Sequence, residues 1–75
     1  MNFDQEFDAS GMSGPLPIVK TKKALADMAS GKVLKVTATD VGAVKDMQAF
    51  ADQTGNTLLS SSEAGGKYIF FLKKK

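Results

Sequence analysis

The chain has 75 residues, ten lysines, eight acidic residues and a formal net charge of +2, and it contains neither cysteine nor histidine. A chain of this length predicts one small domain, residues 1–75, without room for a large enclosed active site. Because it has no thiol and no imidazole, it can form no disulfide, no typical zinc site, no thiolate nucleophile and no imidazole base. The composition therefore favours a binding function.

The first predicted elements are a strand and an amphipathic helix. Residues 2–8 predict a short strand with Phe3 and Phe7 as apolar anchors, and a loop of small residues, 9–13, follows it. The next segment predicts a helix from Pro15 to about Ala29. Its apolar face consists of Ile18, Thr21, Leu25, Met28 and Ala29.

A second strand and a second helix follow. Residues 33–39 are rich in β-branched side chains, which favours a strand. Successive side chains of a strand point to opposite faces, and the face that carries Leu34, Val36 and Ala38 is predicted to point inward. Asp40 is placed to cap a helix that runs through residue 53, and Gly55 suits the left-handed position that closes it. The apolar stripe of this helix consists of Val44, Met47, Phe50 and Ala51.

The last two predicted strands form a hairpin. They span residues 57–61 and 67–73, and the loop at 63–66 contains two glycines. The order is βαβαββ. Right-handed crossovers would place both helices on one face of a four-stranded mixed sheet. The sequence therefore predicts an α+β protein, a two-layer sandwich whose other sheet face is open.

Two prolines, Pro15 and Pro17, stand at the predicted start of the first helix. A proline costs a helix nothing in its first turn, where the N–H group has no intrahelical partner. The prediction therefore makes Gly14 the N-cap. A thiol at such a position would have its pKa lowered by the nearby N–H groups and the helix dipole. Position 14 is thus the natural reactive position of the chain.

Asp8, Gly11, Pro15 and Pro17 surround position 14 in a pattern that resembles the signature of the TusA/SirA-like sulfur-carrier family. Residues 38–46 resemble the second signature of that family, with Val41 where relatives often have proline. The resemblance covers about residues 5–73. In the family, position 14 would be a cysteine that carries sulfur as a persulfide, whereas here it is Gly14.

The resemblance implies a small carrier that accepts sulfur from a cysteine desulfurase or a rhodanese. Such a carrier passes the sulfur to a DsrE-type relay protein for tRNA thiolation, cofactor synthesis or sulfur oxidation, and it needs no metal or cofactor. It also implies roles for the residues around position 14. Gly11 and Ser13 would shape the loop, Pro15 and Pro17 would set its exit angle, and Met12, Lys20 and Lys23 would contact partners.

Each of these residues also has a plain structural interpretation. The lysines can be a solvated helix face, Met12 can fill a gap beside the loop, and Ser13 has no general base near it. Asp40 and Asp46 are interpreted as a helix cap and a surface charge. The terminal Lys73, Lys74 and Lys75 are expected to form a solvated, frayed end.

Three functional interpretations remain open. The chain can be a sulfur carrier whose cysteine has been replaced, or a natural cysteine-free relative that binds partners or regulates them. The third is a small nucleic-acid-binding domain, which the absence of arginine disfavours. No apolar run is long enough to cross a membrane and the first residues are acidic, so we expect a cytoplasmic protein. We also expect it to be a monomer.

Overall fold

The computed structural model describes all 75 residues and contains four strands and two helices. The strands are β1 (Gln5–Ala9), β2 (Val33–Ala38), β3 (Thr57–Ala64) and β4 (Lys67–Lys73). The helices are α1 (Leu16–Ala26) and α2 (Ala43–Thr54). This order confirms the predicted βαβαββ arrangement.

The four strands form one mixed sheet in the order β1-β2-β4-β3. β1 pairs with β2 in parallel, and β4 pairs antiparallel with both β2 and β3. The two helices pack against one face of this sheet and against each other. The predicted two-layer α+β sandwich is therefore confirmed.

The core lies between the helices and the sheet, and the inward face of β2 is at its centre. Leu34, Val36 and Ala38 are fully buried, as the alternation of this strand predicts. Phe70 and Leu72 of β4 lie beside them at register positions opposite Val36 and Leu34. The helices contribute Leu25, Met47, Phe50 and Ala51.

The ends of β1, α1 and β3 differ from the predictions. β1 begins at Gln5, because Asp4 pairs with the start of β2: its N–H donates to the Val33 carbonyl, and its carboxylate accepts from the Val33 N–H. α1 ends at Ala26, three residues early, in a turn that leaves Ala29 exposed. β3 continues to Ala64, with a bulge between residues 58 and 60.

The open face of the sheet carries one aromatic pair. The rings of Phe3 and Phe71 lie 6.2 Å apart, and the Lys35 ammonium lies 5.3 Å from the centre of the Phe3 ring. Lys35 also forms an ion pair with Glu6 at 3.7 Å. Phe3 therefore anchors the chain before β1 on the open face, whereas Phe7 is half-buried against the core.

The hairpin between β3 and β4 turns through two glycines. Gly65 and Gly66 both have positive φ, 58° and 80°, and Ala64 pairs with Lys67 across them. Two-residue hairpin turns require positive φ, which glycine adopts at no steric cost. The predicted hairpin is confirmed, and its loop is shorter than expected.

Lys73 and Lys75 are exposed, as the prediction of a solvated end requires, but Lys74 and Lys75 bond to the rest of the chain, so the prediction of a frayed end is wrong. The Lys74 ammonium donates to the Leu25 carbonyl at 2.7 Å, and the Lys74 main chain pairs with residues 31 and 32. The Lys75 N–H donates to the Asn56 side chain, and the Ser30 hydroxyl donates to the Lys75 main-chain oxygen. A cation at the last carbonyls of a helix is electrostatically favourable, which accounts for the position of Lys74.

Candidate functional site

The loops that follow β1 and β2 meet at one end of the molecule. Because the two strands are parallel, their carboxyl ends lie at the same edge of the sheet. The loop at residues 10–15 leads into α1, and the loop at residues 39–42 leads into α2. The N-terminal ends of both helices therefore lie beside position 14.

Gly14 is exposed and has a left-handed backbone conformation, with φ of 62°. A Cβ atom built on it would have no neighbouring heavy atom within 4 Å. The direction in which a side chain would leave position 14 is thus open space. Left-handed φ favours glycine, since other L-residues are strained there.

The structure corrects the position of the first helix cap. The N-cap of α1 is Pro15, one residue later than predicted, and no side chain caps this end. Because Pro15 and Pro17 have no N–H, the first turn offers only the N–H groups of Leu16 and Ile18. The Leu16 N–H already approaches the Ser13 carbonyl at 3.4 Å. The helix start therefore supplies fewer donors to position 14 than an ordinary N-terminus.

Two consecutive side chains from the second loop hold the first loop in place. The Gly11 N–H donates to the Thr39 hydroxyl oxygen at 2.9 Å, and the Gly14 N–H donates to an Asp40 carboxylate oxygen at 3.2 Å. The other Asp40 oxygen accepts from the Gly42 N–H at 3.1 Å. Asp40 therefore joins the two loops.

The prediction that Asp40 is the N-cap of α2 is wrong. The N-cap is Gly42, which has no side chain to accept a hydrogen bond, and the helix begins at Ala43. Asp40 lies two residues before that N-cap; its carboxylate accepts from the Gly42 N–H and also from the Gly14 N–H of the first loop. Gly55 closes the helix with φ of 81°, as predicted.

Apolar side chains surround the two helix starts. We call these four residues the apolar collar, and they are Leu16 and Val19 of α1 with Val41 and Val44 at the start of α2. Their exposed fractions are 47%, 54%, 69% and 37%. The chain has seven large hydrophobic residues this exposed, so more than half of them lie at this one end. Concentrated exposure of this kind is typical of an interaction surface.

A shallow groove continues from the apolar collar between the helices. Pro15, Ile18, Ala49 and Phe50 provide its apolar part, and Asp46 lies at its edge. The groove is open to solvent and too shallow to enclose a substrate, so this end of the molecule offers a surface.

The other predicted site residues differ in location and exposure, and Lys23 lies in the last turn of α1. Lys20 and Lys23 are exposed on α1 and form no ion pair. Ser13 and Gly11 are exposed in the loop, and the φ of Gly11 is 81°. Met12 is half-buried and packs against the core, which favours its structural interpretation as a residue that fills a gap.

Near the end of β1, just before the loop, Asp8 has a lowered pKa. Hydrogen bonds from Ser10, first from its hydroxyl and then from its N–H at 2.9 Å, lower the pKa of Asp8. Asp8 is exposed at the end of β1, where its carboxylate turns the chain into the loop. Its interaction with Ser10 supports a structural role in shaping the loop.

The structure contains no group of three or more acidic side chains that could hold a metal ion. No helix has both the length and the apolar character that crossing a bilayer requires. Glycine has no functional group in its side chain, so position 14 itself supplies no nucleophile.

Comparison with known proteins agrees with this arrangement. The sequence model of the family described as Sulfurtransferase TusA matches residues 5–74, and the chain belongs to this family. The chain is 60% identical over 73 residues to the sulfur carrier protein TusA of Allochromatium vinosum. The aligned region covers 97% of this chain and 96% of that protein. The chain is 36% identical over 72 residues to the sulfur carrier protein TusA of Pseudomonas entomophila, covering 96% and 90%.

The fold is also found in a solved structure. The crystal structure of the SirA-like protein from Desulfitobacterium hafniense superposes with a TM-score of 0.83. It covers 93% of this chain and 96% of that chain, at 24% sequence identity. The resemblance to the TusA/SirA-like family, and the fold that it implies, are thus confirmed.

Sequence reasoning missed two features of this end of the molecule. It assigned Asp40 to helix capping and did not consider Thr39, although the two residues are adjacent and both can accept from main-chain N–H groups. It also placed Val44 in the core stripe and Leu16 in no role, whereas both are exposed. The sequence signal for the collar is the pair of apolar residues beside each helix start.

Proposed function

We propose that this chain is a TusA-type sulfur-carrier scaffold that docks on sulfur-transfer partners without itself carrying sulfur. The observation that carries the proposal is position 14, which is exposed at the start of α1, faces open space and lies among the apolar collar. A protein that presents one residue to two successive partners needs this geometry.

The chemistry of the family explains why position 14 matters. In persulfide transfer, a thiolate of the carrier attacks the outer sulfur of the donor persulfide, a new sulfur–sulfur bond forms on the carrier, and the donor thiolate leaves. This chain has no cysteine, so it has no atom that can form the new bond. Sulfur transfer would require a thiol at position 14.

The proposed partners are a cysteine desulfurase or a rhodanese as donor and a DsrE-type protein as acceptor. The apolar collar would supply the contact area, because exposed apolar side chains at one end of a small domain favour protein association. Lys20 and Lys23, exposed and unpaired on α1, would steer an acidic partner toward this helix.

Two forms of this proposal differ in the origin of Gly14. In one, the chain is a carrier whose acceptor cysteine has been replaced, and in the other it is a cysteine-free relative that occupies partners as a binding or regulatory module. The genomic codon at position 14 distinguishes the two forms.

Nucleic-acid binding has weaker support. The open sheet face carries Phe3, Phe71 and Lys35, but Lys35 lies over the Phe3 ring and pairs with Glu6, so these groups already bind one another. A base could stack there only by displacing them.

Two measurements with a cysteine desulfurase test the proposal. Intact mass after incubation with the desulfurase and cysteine should show no added sulfur on this chain, and a stable adduct would contradict the proposal. The chain should nevertheless compete with its Gly14→Cys variant for binding to the enzyme.

Matched variants distinguish the contribution of the apolar collar to partner binding from that of the two lysines. Leu16→Ser with Val19→Ser should weaken binding at least tenfold at every salt concentration, because the change removes apolar contact. Lys20→Glu with Lys23→Glu should slow association mainly at low salt. Leu59→Ser is the control, since Leu59 is similarly exposed but lies on β3. If the control weakens binding as much as the collar variants do, the docking surface lies elsewhere.

A further inference from the structure

The Asp40 carboxylate accepts two main-chain hydrogen bonds, a local one at the start of α2 and one from the first loop. One comes from the Gly14 N–H at 3.2 Å, and the other from the Gly42 N–H at 3.1 Å. Residues 14 and 40 are 26 positions apart in the chain, so this contact depends on the tertiary fold. Its acceptor is a charged group beside the reactive position of the family.

We propose that Asp40 is a positioning residue for position 14: it holds the main chain of residue 14 against the start of α2 and keeps a negative charge next to it. This inference rests on the proposed function, because it concerns the side chain that position 14 presents. It assigns to Asp40 a role different from helix capping or surface charge.

The neighbouring contacts agree with a positioning role. Thr39 accepts from the Gly11 N–H at 2.9 Å, so residues 39 and 40 together hold both ends of the loop at residues 11–14. The remaining bonds of this loop, from Met12 to Ala9 and from Leu16 to Ser13, are local. Without residues 39 and 40, nothing else would bond this loop to the second helix start.

The charge has a separate consequence for chemistry at position 14. The N–H of residue 14 donates to a carboxylate, so it is not available to a thiolate, and the two prolines remove further donors from the helix start. A negative charge close to a thiol favours the neutral form, which raises the pKa of the thiol. Asp40 would therefore oppose the helix dipole and keep a thiol at position 14 less reactive.

Other charged groups lie near this end and must be distinguished from Asp40. Asp8 ends β1 and bonds to Ser10, Asp46 lies on α2 at the edge of the groove, and Lys20 lies on α1. None of these side chains hydrogen-bonds to residues 11–14.

The first measurement is the thiol pKa of the Gly14→Cys variant, obtained from alkylation rate against pH. Adding Asp40→Asn removes the charge and retains an amide oxygen that can accept, and we expect the midpoint to fall by about half a unit to one unit. Adding Asp52→Asn is the control, since Asp52 bonds to Gln48 further along α2. An unchanged midpoint with Asp40→Asn, or an equal fall with Asp52→Asn, would overturn the assigned charge effect.

The second measurement needs no cysteine. In the unsubstituted chain, the Gly14 amide should exchange with solvent at least tenfold more slowly than the Ser13 amide, which donates no hydrogen bond. Asp40→Ala should remove this protection, and Asp40→Asn should restore part of it. Equal exchange of the two amides in the unsubstituted chain would overturn the positioning role even if every variant failed to fold.

The outcomes separate this inference from the proposed function. A shifted thiol pKa together with no binding to a desulfurase would leave the role of Asp40 intact and reject docking. Normal competition for the desulfurase, with no effect of Asp40 on the pKa or on amide exchange, would reject only the role of Asp40.

Discussion

Replacing Gly14 by a residue with a Cβ atom should destabilise the protein through the backbone alone. Gly14 has φ of 62°, and a Cβ atom there would meet no heavy atom within 4 Å. The change therefore causes no clash and removes no packing contact. What remains is the strain of a left-handed backbone conformation, which is unfavourable for most L-residues.

The size of the effect follows from two opposing terms. A left-handed conformation costs a non-glycine residue about 1–2 kcal/mol. Loss of glycine also restricts the unfolded chain, which returns about 0.4–1 kcal/mol. We therefore expect Gly14→Cys and Gly14→Ala to lower the free energy of unfolding by about 1 kcal/mol. In a domain of this size, about 1 kcal/mol lowers Tm by about 4–8 °C.

Urea unfolding followed by circular dichroism measures this loss, and a third variant tests its cause. Gly14→Asn should lose less than Gly14→Ala, because asparagine tolerates left-handed φ better than alanine. If Gly14→Ala and Gly14→Cys are as stable as the parent, residue 14 adopts negative φ, and the argument that the loop suits glycine fails. Alkylation of Gly14→Cys should also proceed in the folded state, since position 14 is exposed.

Three further predictions concern stability. The Thr21 hydroxyl is fully buried without a hydrogen-bond partner, so Thr21→Val should stabilise the fold by about 1 kcal/mol in urea unfolding, whereas Thr21→Ser should not. Lys74→Met should cost about 1 kcal/mol in the same assay, because it removes the ammonium that bonds to the Leu25 carbonyl; an unchanged midpoint would show that this contact contributes nothing. Since Ser10 lowers the pKa of Asp8, the ionised carboxylate favours the folded state above about pH 4, and that stability is lost as the pH falls through the lowered pKa. In a plot of Tm against pH, Asp8→Asn should therefore reduce the fall of Tm at acidic pH. The same fall in the variant and the parent would show that Asp8 does not contribute to this pH dependence.

Local patterns in the sequence determined the order and type of the elements. Alternation in β2 identifies Leu34, Val36 and Ala38 as the buried face, and the structure buries all three. The two prolines place the start of α1 within one residue, and Gly55 marks the end of α2. These features depend on residues that are close in the chain, which is why spacing and turn chemistry predict them.

The family was also readable from the sequence, because its signatures lie in short segments around position 14 and at residues 38–46. Asp8, Gly11, Pro15 and Pro17 surround position 14, and the family match over residues 5–74 agrees with that resemblance. The roles of individual residues in docking and sulfur transfer stay predictions, since they concern contacts with other proteins.

Only the tertiary structure decided which distant groups form hydrogen bonds at the ends of the helices and strands. Asp40 has the sequence context of a helix cap, yet its carboxylate bonds to Gly14, because the parallel pairing of β1 and β2 brings the two loops to one edge. Lys74 has the context of a solvated tail, yet it bonds to Leu25 at the end of α1. Both contacts join residues more than 20 positions apart, and no local spacing rule specifies which distant group a side chain will meet.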